Sequence, residues 1–316
     1  MDFSILLIAI GKIAVMLGLG MWVGHKVVAI NPDIRKLLIF LIIYVTLPAL
    51  ILNGFLQLET NRELLRQLFG IFAFSFIFTL TGLFLGWLIA RAFRLSPQKA
   101  REAGFLSIFG NLGLIGIPLC ATMFGPKGAL MAAVFDAGMA PILWSFGAWF
   151  VQPERRKMSV KSLKSVINGP IVAIAIGVVI ILLDLEPGRF AREVIGTLSG
   201  AASPLSMFYI GMLIMAMFKA RMRVSLKLLS LPVSLKLIVF PLLALCMLSF
   251  LPFYSTEVKF LILILASLPN IATASIIMAM SGADEEYGAM SLLTTTLLSL
   301  VTIPLLATIA QWLLLS

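Results

Sequence analysis

Apolar residues in this chain run nearly unbroken for about 20 positions at a time, from one end to the other. The runs cover Ile5 to Val23, Leu37 to Phe55, Leu68 to Ala90, Phe105 to Phe124, Gly128 to Val151, Ile167 to Leu183, Val194 to Phe218, Leu228 to Phe250, Phe260 to Met280 and Gly288 to Leu315. A helix needs about 20 residues to cross roughly 30 Å of hydrocarbon, so the pattern predicts an all-α integral membrane protein with ten transmembrane helices. Composition agrees: 61% of the 316 residues are hydrophobic and only 12% are charged, which excludes an ordinary soluble globule. Met1 and Asp2 precede the first run without a basic stretch, and no Ala-x-Ala site follows it. That run is therefore expected to stay as a helix.

Charge adds an orientation. Sixteen of the 24 Lys and Arg residues fall in the loops after the odd-numbered spans, six fall in the other loops, and Lys12 and Lys236 lie inside spans. Basic residues near helix ends accumulate on the cytoplasmic side, so the count places both termini outside a multi-pass cell membrane, a bacterial inner membrane by this reading. The net charge of +10 is thus read as topology, with no nucleic-acid partner. The loop 152–166, carrying Arg155, Arg156, Lys157, Lys161 and Lys164, separates residues 1–151 from 167–316 with five spans on each side. Because five is odd, two similar halves must insert with opposite orientation. Pro48 in the second span answers Pro204 in the seventh, and the fourth and ninth spans each have a polar break ahead of a turn at Gly125 or Gly282. The reading is two inverted five-helix repeats.

Candidate chemistry gathers at those breaks. The fourth span reads Gly110-Asn111-Leu112-Gly113-Leu114-Ile115-Gly116-Ile117-Pro118, and the ninth reads Ser267-Leu268-Pro269-Asn270 with Thr273 and Ser275 following. Proline removes a backbone donor and clashes with the carbonyl four residues earlier, while glycine lowers the cost of an unwound segment. Open peptide groups are not tolerated in lipid, so the two breaks are expected to face each other or a wet cavity. Each creates a half-helix N-terminus that favours an anion. Asn111, Gly113, Gly116, Pro118, Pro269, Asn270 and Thr273 are accordingly the expected binding residues for a small organic anion. Lys12, Asp136 and Lys236 are the ionisable groups inside spans, where charge is costly and faces the bundle interior. Asp136 and Lys236 come out about 6 Å apart in depth, which leaves two readings: a structural ion pair with Lys12 snorkelling, or a proton-carrying Asp136 whose released lysine neutralises a substrate carboxylate.

Other classes lack their residues. There is no phosphate-binding glycine loop with its lysine, and no Ser/His/Asp set. Cys120, Cys246 and the single His25 have no metal-ligand spacing, so neither metal nor cofactor is expected, and no enzyme activity.

Asn111-Leu112-Gly113-Leu114-Ile115-Gly116-Ile117-Pro118-Leu119, followed by Met123-Phe124-Gly125, resembles the crossover motif of the auxin efflux carrier family, in its plant and bacterial members. Asn31-Pro32-Asp33 with Leu47-Pro48, Leu235-Lys236-Leu237-Ile238 with Pro241, and Leu268-Pro269-Asn270 extend the likeness from about residue 10 to 310. The resemblance implies ten helices in two inverted repeats, similar to the bile-acid/sodium symporters, with a scaffold domain and a moving transport domain. It also implies a substrate site where the fourth and ninth helices cross, with Asn111, Pro118, Pro269 and Asn270 at the crossing. Family members are associated with auxin in plants and with malonate or other organic acids in bacteria, and they commonly form dimers. The sequence departs from the plant pattern: the long central loop is missing, Asn168-Gly169-Pro170 opens the sixth span, and the third span has no charge. The crossover segments contain no Asp or Glu, which disfavours a dedicated sodium site. The expected protein is therefore a homodimeric, bacterial-type organic-anion carrier working by alternating access of an elevator or rocking kind, with proton coupling ahead of sodium. The alternatives are a sodium-coupled symporter and a channel or ligand-sensing membrane protein.

Overall fold

The computed structural model describes residues 3–26, 32–57, 62–153, 167–183, 185–219 and 224–315, so Asn31 and all of the basic linker beyond residue 153 lie outside the described residues. Within them the regular structure is helical: α1 Phe3–Lys26, α2 Pro32–Leu41, α3 Leu47–Gln57, α4 Arg62–Ala92, α5 Pro97–Ile108, α6 Ile117–Ile142, α7 Ala148–Phe150, α8 Gly169–Leu182, α9 Arg189–Gly200, α10 Ala202–Lys219, α11 Leu226–Ser234, α12 Phe240–Ser249, α13 Thr256–Ala266, α14 Ala274–Met280 and α15 Glu285–Leu315.

Three of these helix pairs join end to end through five-residue π-turns, at Ile42–Thr46, Leu143–Gly147 and Leu235–Val239, and a fourth π-turn, Leu112–Gly116, leads into α6. Three of the four turns end two residues before a proline, at Pro48, Pro118 and Pro241. The carbonyl that each proline ring would strike, four residues back, belongs to Tyr44, Leu114 or Leu237, in the middle of the turn. Widening the helix there moves the carbonyl aside, so a helix with an internal proline continues instead of breaking.

Among the described residues six helical stretches are long and apolar enough to cross a membrane: Lys36–Gln57, Leu64–Ala92, Leu112–Phe150, Arg189–Lys219, Leu226–Ser249 and Glu285–Ala310. Their outward faces carry large apolar side chains such as Phe69, 73% exposed, and Val301, 60% exposed, which require lipid around them. The chain is an α-helical, multi-pass membrane protein. The predicted fourth and fifth spans meet at a sharp kink at Gly125, whose φ of 67° and ψ of −161° are not helical, so α6 is two helices joined at that residue. The predicted sixth span is the 14-residue α8, about 21 Å long. The ninth is divided between α13 and α14, of 11 and 7 residues.

The described chain divides into two compact units, and each draws on both halves of the sequence. Residues 1–71, 112–137 and 167–220 form the first; residues 72–111, 138–166 and 221–316 form the second. In the first, α3 packs on α8 and α9, and α1 lies along α10. That last contact is backbone to backbone: a Cβ on Gly20 would stand 2.1 Å from the Phe208 carbonyl, and one on Gly211 would stand 2.2 Å from that of Leu17. Small residues let membrane helices approach this closely. In the second unit α5 packs against α11, and α15 against α11, α13 and α14. Both interruptions, at residues 109–111 and 268–273, belong to this unit, although the fourth span continues from Leu112 in the first.

Candidate functional site

The site starts with two serines. Ser107, next to last in α5, donates from Oγ to the Ala103 carbonyl at 2.6 Å, and Ser267, just past α13, donates to that of Leu263 at 2.7 Å. A hydroxyl bonded to the carbonyl four residues back competes with the helical ladder and weakens the next turn. Both helices end there. The chain then runs extended, and the two interruptions meet: Gly110 pairs antiparallel with Asn270, Asn111 donates its N–H to the Pro269 carbonyl at 2.8 Å, and Ile271 donates to that of Phe109 at 3.1 Å. The facing that the sequence predicts is thus made by peptide groups themselves, which takes up donors and acceptors the helices have released.

The extended backbone of the fourth span is confined to Phe109–Asn111, at the first glycine of the cluster, and does not reach Gly113 or Gly116. Gly113 and Gly116 instead stand in the π-turn that accommodates Pro118. Pro118 itself is buried, and its carbonyl accepts from Thr122 Oγ1 at 3.0 Å and from Ser203 Oγ at 3.2 Å, all within the first unit.

Around the pairing in the second unit, Asn270 is 1% exposed and tied to α15: its Nδ2 donates to Ser291 Oγ at 2.6 Å, and its backbone N–H to Thr295 Oγ1 at 3.0 Å. Asn270 Oδ1 and Thr273 Oγ1 are buried without a hydrogen-bond partner. A serine hydroxyl can donate or accept, so Asn270 can turn either its oxygen or its amide N–H toward a ligand. Lys236, also 1% exposed, leaves the π-turn Leu235–Val239 and donates from Nζ to the carbonyls of Ile108, at 2.9 Å, and Ala266, at 3.5 Å. Those are the last residues of α5 and α13.

The structure therefore gathers Asn111, Lys236, Pro269, Asn270 and Thr273 in one unit. Gly113, Gly116 and Pro118 belong to the other, as do Asp136 and Lys12. Asp136 is half-buried in α6 and makes no hydrogen bond or ion pair among the described residues, while Lys12 is exposed on α1. Sequence reasoning passed over Ser291 and Thr295. Their spacing of four puts both on one helix face, a signal that could have found them. It also passed over the carbonyl ends that receive Lys236, for which no side chain gives a sign.

A second polar cluster stands at the start of α5. Ser96 Oγ accepts from the Lys99 N–H at 3.4 Å and Pro97 occupies the first turn, so the helix begins there. Lys99 bridges Glu102 at 2.7 Å and Asp284 at 2.6 Å, and lies 5.2 Å from the centre of the Tyr287 ring. Burial works to lower the Lys99 ammonium, but hydrogen bonds and charge from Asp284 and Glu102 outweigh it and hold the group above its ordinary value. Burial likewise works to raise the Asp284 carboxyl, and Lys99 with the Tyr287 and Glu286 backbone N–H groups holds it below its ordinary value.

A lipid-facing helical protein with two half-helices joined end to end around a buried lysine and asparagine has the build of a membrane transporter. Residues 5–307 match the family described as membrane transport protein, and the chain belongs to that family, the one that includes the auxin efflux carriers. It is also similar to a protein of Methanothermobacter thermautotrophicus described as an uncharacterized transporter, 29% identical over 227 residues that make up 72% of this chain and 73% of that one.

Proposed function

We propose that this transporter is a secondary carrier of a small organic anion, a carboxylate, across the cytoplasmic membrane by alternating access, with proton coupling. The observation that carries the reading is the paired interruption in the second unit, where the Asn270 side-chain oxygen and the Thr273 hydroxyl are buried without a hydrogen-bond partner in the unit that also buries Lys236. Buried polar groups are costly unless something completes them, and a carboxylate suits the Thr273 hydroxyl and, once the amide turns so that Ser291 donates to its oxygen, the Asn270 amide N–H. Lys236 offsets the negative helix ends that would otherwise repel an anion. In this reading Asn111, Asn270 and Thr273 bind the cargo, and Gly113, Gly116 and Pro118 shape the continuation of the fourth span. Asp136 carries the proton, and the ten spans form two inverted repeats over 1–151 and 167–316. The matched serines Ser107 and Ser267, each closing a half-helix just ahead of an interruption, support that repeat.

The test is uptake by proteoliposomes of a panel of labelled mono- and dicarboxylates, with proton and sodium gradients imposed separately. Saturable uptake of at least one carboxylate, driven by the proton gradient and indifferent to sodium, is the expected result. Absence of saturable uptake for the whole panel would refute the carrier.

A further inference from the structure

The last carbonyls of a helix have no partner within it, and its C-terminus carries about half a negative charge. In the second unit α5 and α13 both end at the paired interruption, and one ammonium meets the terminal carbonyls of both, Ile108 at 2.9 Å and Ala266 at 3.5 Å. Two such ends amount to about one negative charge, which a single lysine balances. Lys236 is 1% exposed, and its recorded hydrogen bonds go to backbone carbonyls and to no carboxylate. Converging carbonyl oxygens are what proteins use to hold a small monovalent cation stripped of water. Gly110 completes the seat, because a Cβ there would stand 3.2 Å from Nζ and crowd the ammonium.

We propose that Lys236 is a resident cation: its ammonium occupies a monovalent-cation position built from the carbonyl ends of α5 and α13 and holds the two interruptions together. The position needs no ion from solution while the lysine is present. Deleting the side chain back to alanine empties it and converts it into a site for a small free cation. This goes beyond the carrier reading and rests on it for one consequence only, that uptake by the natural chain needs no sodium at this position.

The experiment follows thermal unfolding of the purified full-length protein in detergent, in chloride salts of choline, tetramethylammonium, sodium, ammonium and methylammonium at constant ionic strength. The natural chain should unfold at the same temperature in all five. Lys236→Met, which keeps the bulk and loses the charge, should unfold about 5 °C or more lower in every salt. Lys236→Ala should be as weak in choline and tetramethylammonium and recover at least half of the loss, saturably, in ammonium or methylammonium. A Lys236→Met protein as stable as the natural chain, or a Lys236→Ala protein indifferent to small cations, overturns the proposal. Should Lys236→Ala not survive extraction, Lys236→Arg and Lys236→Met are compared by the yield of monodisperse protein from membranes. Arginine retained with methionine lost supports a cation role; both retained or both lost overturns it. No substrate enters these measurements, so a failed uptake panel leaves them standing and their failure leaves the carrier reading untouched.

Discussion

Asn270 is held by α15 at two points: its side chain by Ser291 and its backbone N–H by Thr295. The second bond matters more for the interruption, because a peptide N–H just past Pro269 has no helical acceptor to return to and Thr295 supplies one inside the protein. Thr295→Val keeps the shape and removes the acceptor. Leaving that buried N–H unsatisfied costs about 1 to 3 kcal/mol. The variant should unfold at a lower temperature than the natural chain, and carboxylate uptake should fall with it, whereas Thr308→Val on the exposed side of the same helix should change neither. Equal unfolding temperatures for the two variants would show that Thr295 does not support the interruption. Pro269 and Asn270 were legible in the sequence because a proline beside a polar residue is conspicuous in an apolar run. Ser291 and Thr295 were not, because a helical hydroxyl can always bond to its own backbone, as Thr295 Oγ1 also does to the Ser291 carbonyl at 2.7 Å.

Among the elements, hydropathy found the helices but misplaced how they end. The stretch from Gly110 to Pro118 looked like the place where the fourth span unwinds, yet only its first two residues, Gly110 and Asn111, with Phe109, are extended, and the helix passes the proline on a π-turn. Apolar composition cannot register a carbonyl stepping aside. The joint between α5 and α15 was equally hidden, because Asp284, Glu285 and Glu286 form a short acidic run that carries no sign of its partner. Lys99 reaches Asp284 across 185 positions in sequence, and Asp284 Oδ1 also accepts from the Tyr287 N–H at 3.0 Å, capping the start of α15. The Asp284 carboxyl sits below its ordinary value of 3.8, so the folded state holds its proton less tightly than the unfolded chain does. Its contribution is present above that ordinary value and lost as pH falls through the folded one. The Lys99 ammonium sits above its ordinary 10.5, so its contribution is full below that value and lost as pH rises through the folded one. Stability from this cluster should be level from about pH 5 to about pH 9 and decline on both sides. With Lys99 and Asp284 side chains 30% and 37% exposed, its size is limited by solvent to about 1 kcal/mol or less. Asp284→Asn retains the cap and removes the charge. Unfolding curves of variant and natural chain should therefore differ at pH 7 and converge toward pH 3, and a gap that persists in acid would assign the difference to something other than this ion pair.

At the scale of the whole molecule, each compact unit takes segments from both halves of the chain, which a linear reading of five spans plus five does not display. Three spans' worth of chain change unit partway along, at residues 71, 111 and 137, the last of these directly after Asp136. Lys236 and Asp136 appeared in the sequence as one buried pair because depth was the only coordinate available. In the structure the lysine is engaged by two carbonyls of its own unit, while the carboxylate belongs to the other unit and has no ion pair among the described residues. A carboxylate without a fixed partner, half-buried in a transmembrane helix, is suited to gaining and losing a proton as its surroundings change. The two roles then separate, and so do their tests. Asp136→Asn should leave exchange of the carried carboxylate across proteoliposomes intact when the anion is equal on both sides and no pH difference is imposed. It should abolish accumulation driven by a proton gradient. If Asp136→Asn accumulates the anion as the natural chain does, the proton travels elsewhere; if exchange is lost as well, Asp136 belongs with the binding residues.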